Sequence, residues 1–213
     1  MELFEAIYTR RSVRSFSSQE ISEQDLTKII DAGRWAPSAC NVQGWRFIVV
    51  DDPHTKRSLI DLGAASFLEK APLGVLVVYD NQTDNLEYAD YVQSAAASIQ
   101  NMLLAAHALG IGGCWICHLP RKEELRSLLA IPSHYDPIAY VALGYPQREP
   151  KPKERKAGIK DILAYNKFTG VRSSRRAGLG LSVRRVLRKI YYLMPFRKHI
   201  AKKADERFEK KFE

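Results

Sequence analysis

Three arginines and a hydroxyl fall within five residues near the start of the chain: Arg10, Arg11, Ser12 and Arg14, with Val13 between them. Guanidinium groups donate paired hydrogen bonds to phosphate oxygens and a serine adds a short donor, so this cluster suits a monophosphate. The same residues also suit a solvated helix C-terminus, where basic side chains complement the helix dipole. A second group lies at 36–45, Ala-Pro-Ser-Ala-Cys-Asn-Val-Gln-Gly-Trp, directly before an apolar run. The small side chains around Pro37, Ser38 and Ala39 let backbone approach a flat ring, while Asn41 and Gln43 can each donate and accept at the edge of a heterocycle. An ordinary helix-to-strand turn would carry the same residues.

Other signals weaken on inspection. Cys114 and Cys117 spell C-x-x-C, but residues three apart on a strand face opposite sides, which disfavours a disulfide or a shared metal. There is no second cysteine pair for a zinc site. Gly110, Gly112 and Gly113 lack the spacing of a dinucleotide fingerprint and follow a helix rather than a strand. His54, His107, His118, His134 and His199 show no metal-ligand spacing. No paired carboxylates, activated histidine or nucleophile elbow stand out, so no catalytic acid or base is assigned.

The elements that must position these groups follow from periodicity. Leu3, Phe4, Ile7 and Tyr8 recur at helical spacing over 2–9, and Leu26, Ile29, Ile30 and Gly33 do so over 23–35. Ser22 is the expected N-cap of the second helix, with Asp25 three residues on, and Pro37 bounds its end. Strands are expected at 45–50, 73–79, 113–116 and 138–143, and helices at 53–67 and 121–129. The longest helix, 88–109, is so rich in alanine and leucine that it must be buried nearly all round. A domain of this size has little interior for it, so a subunit interface, and hence a dimer, is the natural place for its remaining face.

Composition bounds the class. At 213 residues and 46% hydrophobic, the chain can bury one substantial core. No uncharged apolar run approaches the roughly 20 residues that span a bilayer, and the first residues lack a secretory pattern, so a cytoplasmic location is expected. Three cysteines fit a reducing compartment. The net charge of +9 is unevenly placed: residues 1–170 hold 19 Lys plus Arg against 20 Asp plus Glu, and residues 171–213 hold 14 against 4. The body is neutral and the tail basic, with no nucleic-acid-binding motif in either.

Taken together, the Arg-Arg-Ser-x-Arg cluster and the Ala-Pro-Ser-x-x-Asn-x-Gln-x-Trp loop resemble the nitroreductase family of flavoproteins. The resemblance continues in Leu109 to Ile116, in Leu143 to Pro146 and in the basic run at 151–156, and it covers residues 1–168. The chain has Gly44 where that family commonly has proline, and Lys156-Ala157-Gly158 where Lys-Pro-Leu is more usual. The resemblance implies an α+β sandwich, a mainly antiparallel central sheet flanked by helices, in an intertwined homodimer with FMN sites at the interface. It implies that Arg10, Arg11, Ser12 and Arg14 contact the FMN of one site, and that Pro37, Ser38, Ala39, Asn41 and Gln43 come from the other subunit. Gly112, Gly113 and Trp115 would lie near the isoalloxazine, and Lys153 and Arg155 would add positive charge at the phosphate. The implied activity is hydride transfer from NADH or NADPH, through the flavin, to a nitroaromatic, quinone or similar small oxidant by a ping-pong mechanism. A non-enzymatic flavin carrier, or a flavoenzyme recruited by its tail to a partner, is the competing reading.

Residues 169–213 lie beyond the resemblance. Val183, Val186, Leu187, Ile190, Leu193 and Met194 recur at intervals of three and four among Arg184, Arg185, Arg188 and Lys189. After Pro195, Phe196, Ile200, Ala204, Phe208 and Phe212 repeat every fourth residue. Two short basic amphipathic helices are expected, which either pack on their own dimer or contact an anionic membrane surface peripherally.

Overall fold

The computed structural model describes residues 1–83 and 85–169, and beyond them Val183, Val186, Leu187, Ile190 and Met194. Its centre is a four-stranded sheet built from β1 (Trp45–Val50), β2 (Leu73–Asp80), β3 (Gly112–Ile116) and β4 (Tyr135–Gly144), in the order β1-β2-β4-β3 with every neighbouring pair antiparallel. The helices are α1 (Leu3–Thr9), α2 (Glu23–Arg34), α3 (Pro53–Asp61), α4 (Asp90–Ala108), α5 (Lys122–Leu129) and the short α6 (Ile159–Ile162). This is the expected α+β arrangement.

β2 shows why the sheet has helices on both sides. Its residues are buried from Leu73 to Tyr79, as an unbroken apolar run requires when both faces are covered. Successive side chains point to opposite faces, so Leu76 and Val78 join Leu59, Leu125, Tyr140 and Ala142 on one side. Val75, Val77 and Tyr79 join Ile29, Ile99, Met102 and Val141 on the other. The first side is closed by α3 and α5, the second by α2 and α4.

Local chemistry accounts for the element ends. Ser22 caps α2 as expected, its Oγ accepting from Asp25 N at 3.1 Å. The helix expected over 53–67 is shorter: α3 stops at Asp61, because Gly63 takes φ +104, and Phe67 sits in a separate 3-10 segment, Ser66–Lys70. β4 begins three residues earlier than expected, at Tyr135. Pro137 cannot donate to a ladder, yet it is accommodated where the register with β2 shifts between Val77 and Val78.

α4 starts at Asp90 rather than near 88, and within one chain it is buried along a single stripe: Ser94, Ala95, Ser98, Ile99, Met102, Leu103 and Ala106. Ala96, Ala97, Leu104 and Ala105 are only partly covered. Large apolar side chains also stand exposed on α1 (Leu3, Phe4, Tyr8) and at Trp35, Val42, Leu86 and Tyr88. Among the described residues no helix is long and apolar enough to cross a membrane. The helix expected after Pro195 lies outside the described residues.

Candidate functional site

The arginine cluster begins where α1 ends. Arg10 is its C-cap and turns the chain out of the helix into an extended run. Val13 N donates to Gly113 O at 3.1 Å and Ser12 bridges Gly113, so the run lies beside β3. It continues past the end of β4, with Ser17 N donating to Tyr145 O and Gln147 N to Ser15 O. Val13 is buried and packs so closely over Gly112 that a Cβ there would stand 2.7 Å from Val13 Cγ2. Gly112 is therefore required by packing against Val13, whereas at Gly113 an added Cβ would meet Leu103 Cδ2 at 2.6 Å and that side chain would have to shift.

The charges gathered here are of one sign. The Arg10 guanidinium is held below its ordinary pKa, first by burial and then by Arg155 and Arg11. The structure thus brings Arg155, from the far end of the sequence body, close enough to act on Arg10. Arg11 donates from Nη1 to Tyr8 O and Arg10 O. Among the described residues the Nε atoms of both Arg10 and Arg11 are buried without a hydrogen-bond partner. Arg14 places its guanidinium 5.9 Å from the centre of the Phe67 ring. Burial pushes the Cys114 thiol up, against the opposing influence of Arg14, Ser12 and Arg10.

His107 anchors the cluster from below. The Thr9 hydroxyl gives its one proton to Glu5 O at 2.7 Å, so at 2.8 Å it must accept from His107 Nε2. This ties the end of α1 to the last turn of α4. Burial, then Arg10 and Arg11, lower the His107 pKa.

The loop at 36–45 is held at the other end of α4. Ala39 N donates to Ser94 Oγ at 3.0 Å, and that hydroxyl donates to Asp90 O. Cys40, Asn41 and Gln43 all have positive φ, between 48° and 56°. Such a backbone costs roughly 1 kcal/mol or more per non-glycine residue and persists only where the surroundings hold it. Here Gln43 N donates to Ser38 Oγ at 3.0 Å and Gln43 Nε2 to Asn41 Oδ1 at 2.8 Å. Pro37, Asn41 and Gln43 are exposed, and Ser38 and Ala39 partly so.

Ser94 and His107 are thirteen residues apart on one helix, which at 1.5 Å per residue separates the two constellations by about 20 Å. Within one chain they do not converge. Trp115 lies on β3 on the α4 side of the sheet, its Nε1 buried without a partner. Lys153 is exposed.

A model of the nitroreductase family matches residues 7–71 and 59–145. The chain belongs to the nitroreductase family. The sequence is 40% identical over 152 residues to a candidate NADH dehydrogenase/NAD(P)H nitroreductase of Archaeoglobus fulgidus, covering 70% of this chain and 87% of the relative. Among solved structures, an FMN-dependent nitroreductase of Clostridium difficile is 28% identical with a TM-score of 0.67, over 78% of this chain and all of that one. A candidate nitroreductase from Desulfovibrio desulfuricans in complex with FMN is 32% identical with a TM-score of 0.64, over 78% of this chain and 96% of that one.

Within this nitroreductase, Ser94, His107, Thr9 and Phe67 contact the two segments and were not singled out from the sequence. Ser94 is 55 residues from Ala39, and nothing in local spacing joins them. The one available signal was that Ser94 and Ser98 are hydroxyls on the otherwise apolar face of α4.

Proposed function

We propose that this protein is an FMN-dependent oxidoreductase that takes hydride from NADH or NADPH and reduces a nitroaromatic, quinone or similar small acceptor in a ping-pong cycle. The observation that carries the reading is the pair of buried, unpartnered Nε donors of Arg10 and Arg11 beside Arg155. Desolvated donors of one sign are costly unless an anion meets them, and a phosphate close to two negative charges is the complement they fit. Ser12 and Arg14, on the same extended run, extend the donor row beyond the phosphate, and Lys153 adds charge from the segment that carries Arg155.

FMN, when bound, supplies the hydride and electron chemistry, so the chain needs no acid or base of its own. The protein's part is position. Pro37, Ser38, Ala39, Asn41 and Gln43 form the rigid, exposed loop that would meet the ring system from one subunit, while Gly112, Gly113 and Trp115, on the strand beside the arginine run, would face it from the other. Because that loop and the arginines sit about 20 Å apart along α4, one ligand can be held by both only if they come from different subunits. A two-fold dimer does this twice, burying the open side of α4 and the exposed apolar residues of α1. The working form in this reading is a cytoplasmic homodimer with two interfacial sites.

The test is the absorption spectrum of the purified protein, followed by NADH and NADPH oxidation with a quinone and a nitroaromatic as acceptors. One FMN per subunit and acceptor-dependent turnover are expected. Preference for FAD, or a monomer that retains flavin, overturns the site; bound FMN without turnover makes the protein a carrier.

A further inference from the structure

The residues of the basic tail lie outside the segments that form the site described above, and the sequence arranges the apolar ones. Val183, Val186, Leu187 and Ile190 are helical, and together with Met194 their side chains are 43% to 56% exposed. At 100° per residue, the four helical positions fall within an arc of about 100° on a helical projection. The sequence places Arg184, Arg185, Arg188 and Lys189 on the opposite arc of that projection. A stripe of this kind beside a segment of 14 basic and 4 acidic residues has two complements at once, one apolar and one anionic.

We propose that the segment from Val183 to Met194 docks the enzyme on a bilayer rich in anionic phospholipid. A bilayer interface supplies both complements, since acyl chains take the apolar arc and the headgroups meet the bases. A nucleic acid would satisfy the charge and leave the stripe in water. The body, with 19 basic against 20 acidic residues through position 170, carries almost no net charge to attract the tail. The inference is independent of the flavin reading, because it rests on residues outside the site.

The experiment is sedimentation of the full-length, flavin-loaded protein with phosphatidylcholine vesicles, with and without phosphatidylserine, at low and high salt. Binding is expected only to the phosphatidylserine vesicles and is expected to weaken with salt. Arg184→Gln with Arg185→Gln should weaken it about thirty-fold, roughly five-fold per basic side chain. Val186→Asp with Leu187→Asp should abolish it, with flavin content and turnover unchanged in both variants. Equal binding to neutral vesicles, or parental binding by either double variant, overturns the proposal. So does loss of dimer or flavin in the stripe variant, which would make the tail a structural arm. Duplex DNA binding that survives the stripe substitutions would identify a polyanion-binding tail and overturn it as well.

Discussion

Replacing Arg10 with methionine should move the stability of the empty and the loaded protein in opposite directions. Methionine keeps the length of the buried stem and removes the charge and the unpartnered Nε. In the empty site, Arg10 stands partly buried against Arg155 and Arg11, and burial followed by those two charges pushes its pKa down. Removing a desolvated donor of this kind relieves about 1 kcal/mol, the lower end of the usual range because the group is only partly buried. For a body of this size that is a rise in Tm of about 2–4 °C in flavin-stripped protein. In the loaded protein the same change deletes a charge-assisted phosphate contact worth about 1.5–3 kcal/mol, so Kd for FMN should rise about 13- to 160-fold. Flavin fluorescence titration measures the second effect. Thermal melts of stripped and loaded protein at one fixed concentration measure the first, with saturating FMN shifting the loaded curve by mass action. A stripped variant that melts below the parent, or an unchanged Kd, refutes the argument that these arginines are held in wait for an anion.

Gly112→Ala should cost about 1–3 kcal/mol, because the added Cβ meets Val13 Cγ2 at 2.7 Å, and Val13→Ala in the same chain should recover part of that loss; additive urea-unfolding energies would show that the two do not share one packing contact. Ser94→Ala removes the acceptor for Ala39 N and should weaken FMN about five-fold through about 1 kcal/mol, whereas a drop in Tm at constant FMN affinity would reduce Ser94 to a fold contact. Asp136 receives bonds from Lys122, Arg126 and Asn81. Burial pushes its carboxyl up, but the bonds from Lys122 and Asn81, with the charges of Lys122 and Arg126, outweigh this and leave it below the ordinary carboxylate range. Its contribution is therefore complete above the unfolded carboxylate pKa and is lost as pH falls through the lower folded value. Asp136→Asn should cost about 2–3 kcal/mol at pH 7, less than for a fully buried pair because Lys122 is half exposed. It should also flatten the fall in stability below about pH 4; an unaltered acid limb in the variant would assign that fall to other carboxylates.

Much of the fold was legible because the signals are local. The run Leu73–Asp80 can be read as a doubly covered strand from its composition, and the Ser22 cap from two residues three apart. Where reading failed, a backbone condition had to be known first. Gly63 ends α3 by taking positive φ, and Pro137 enters β4 only because a register shift in the β2 pairing receives it. The two ligand-binding segments were also legible as types: arginines with a serine, small residues with amides.

The sequence by itself determined the family, the α+β order of the elements, the donors offered to a phosphate, and a neutral body followed by a basic tail. Each depends on residue type or short-range spacing, which the chain carries wherever it is placed. Only the tertiary structure decided that the charge of Arg155 reaches Arg10, that Ser94 holds the loop at Ala39, and that the arginines and the loop lie at opposite ends of α4. The first two join residues 145 and 55 positions apart, and the third depends on where α4 carries each segment; all are set by how the helices pack on the sheet.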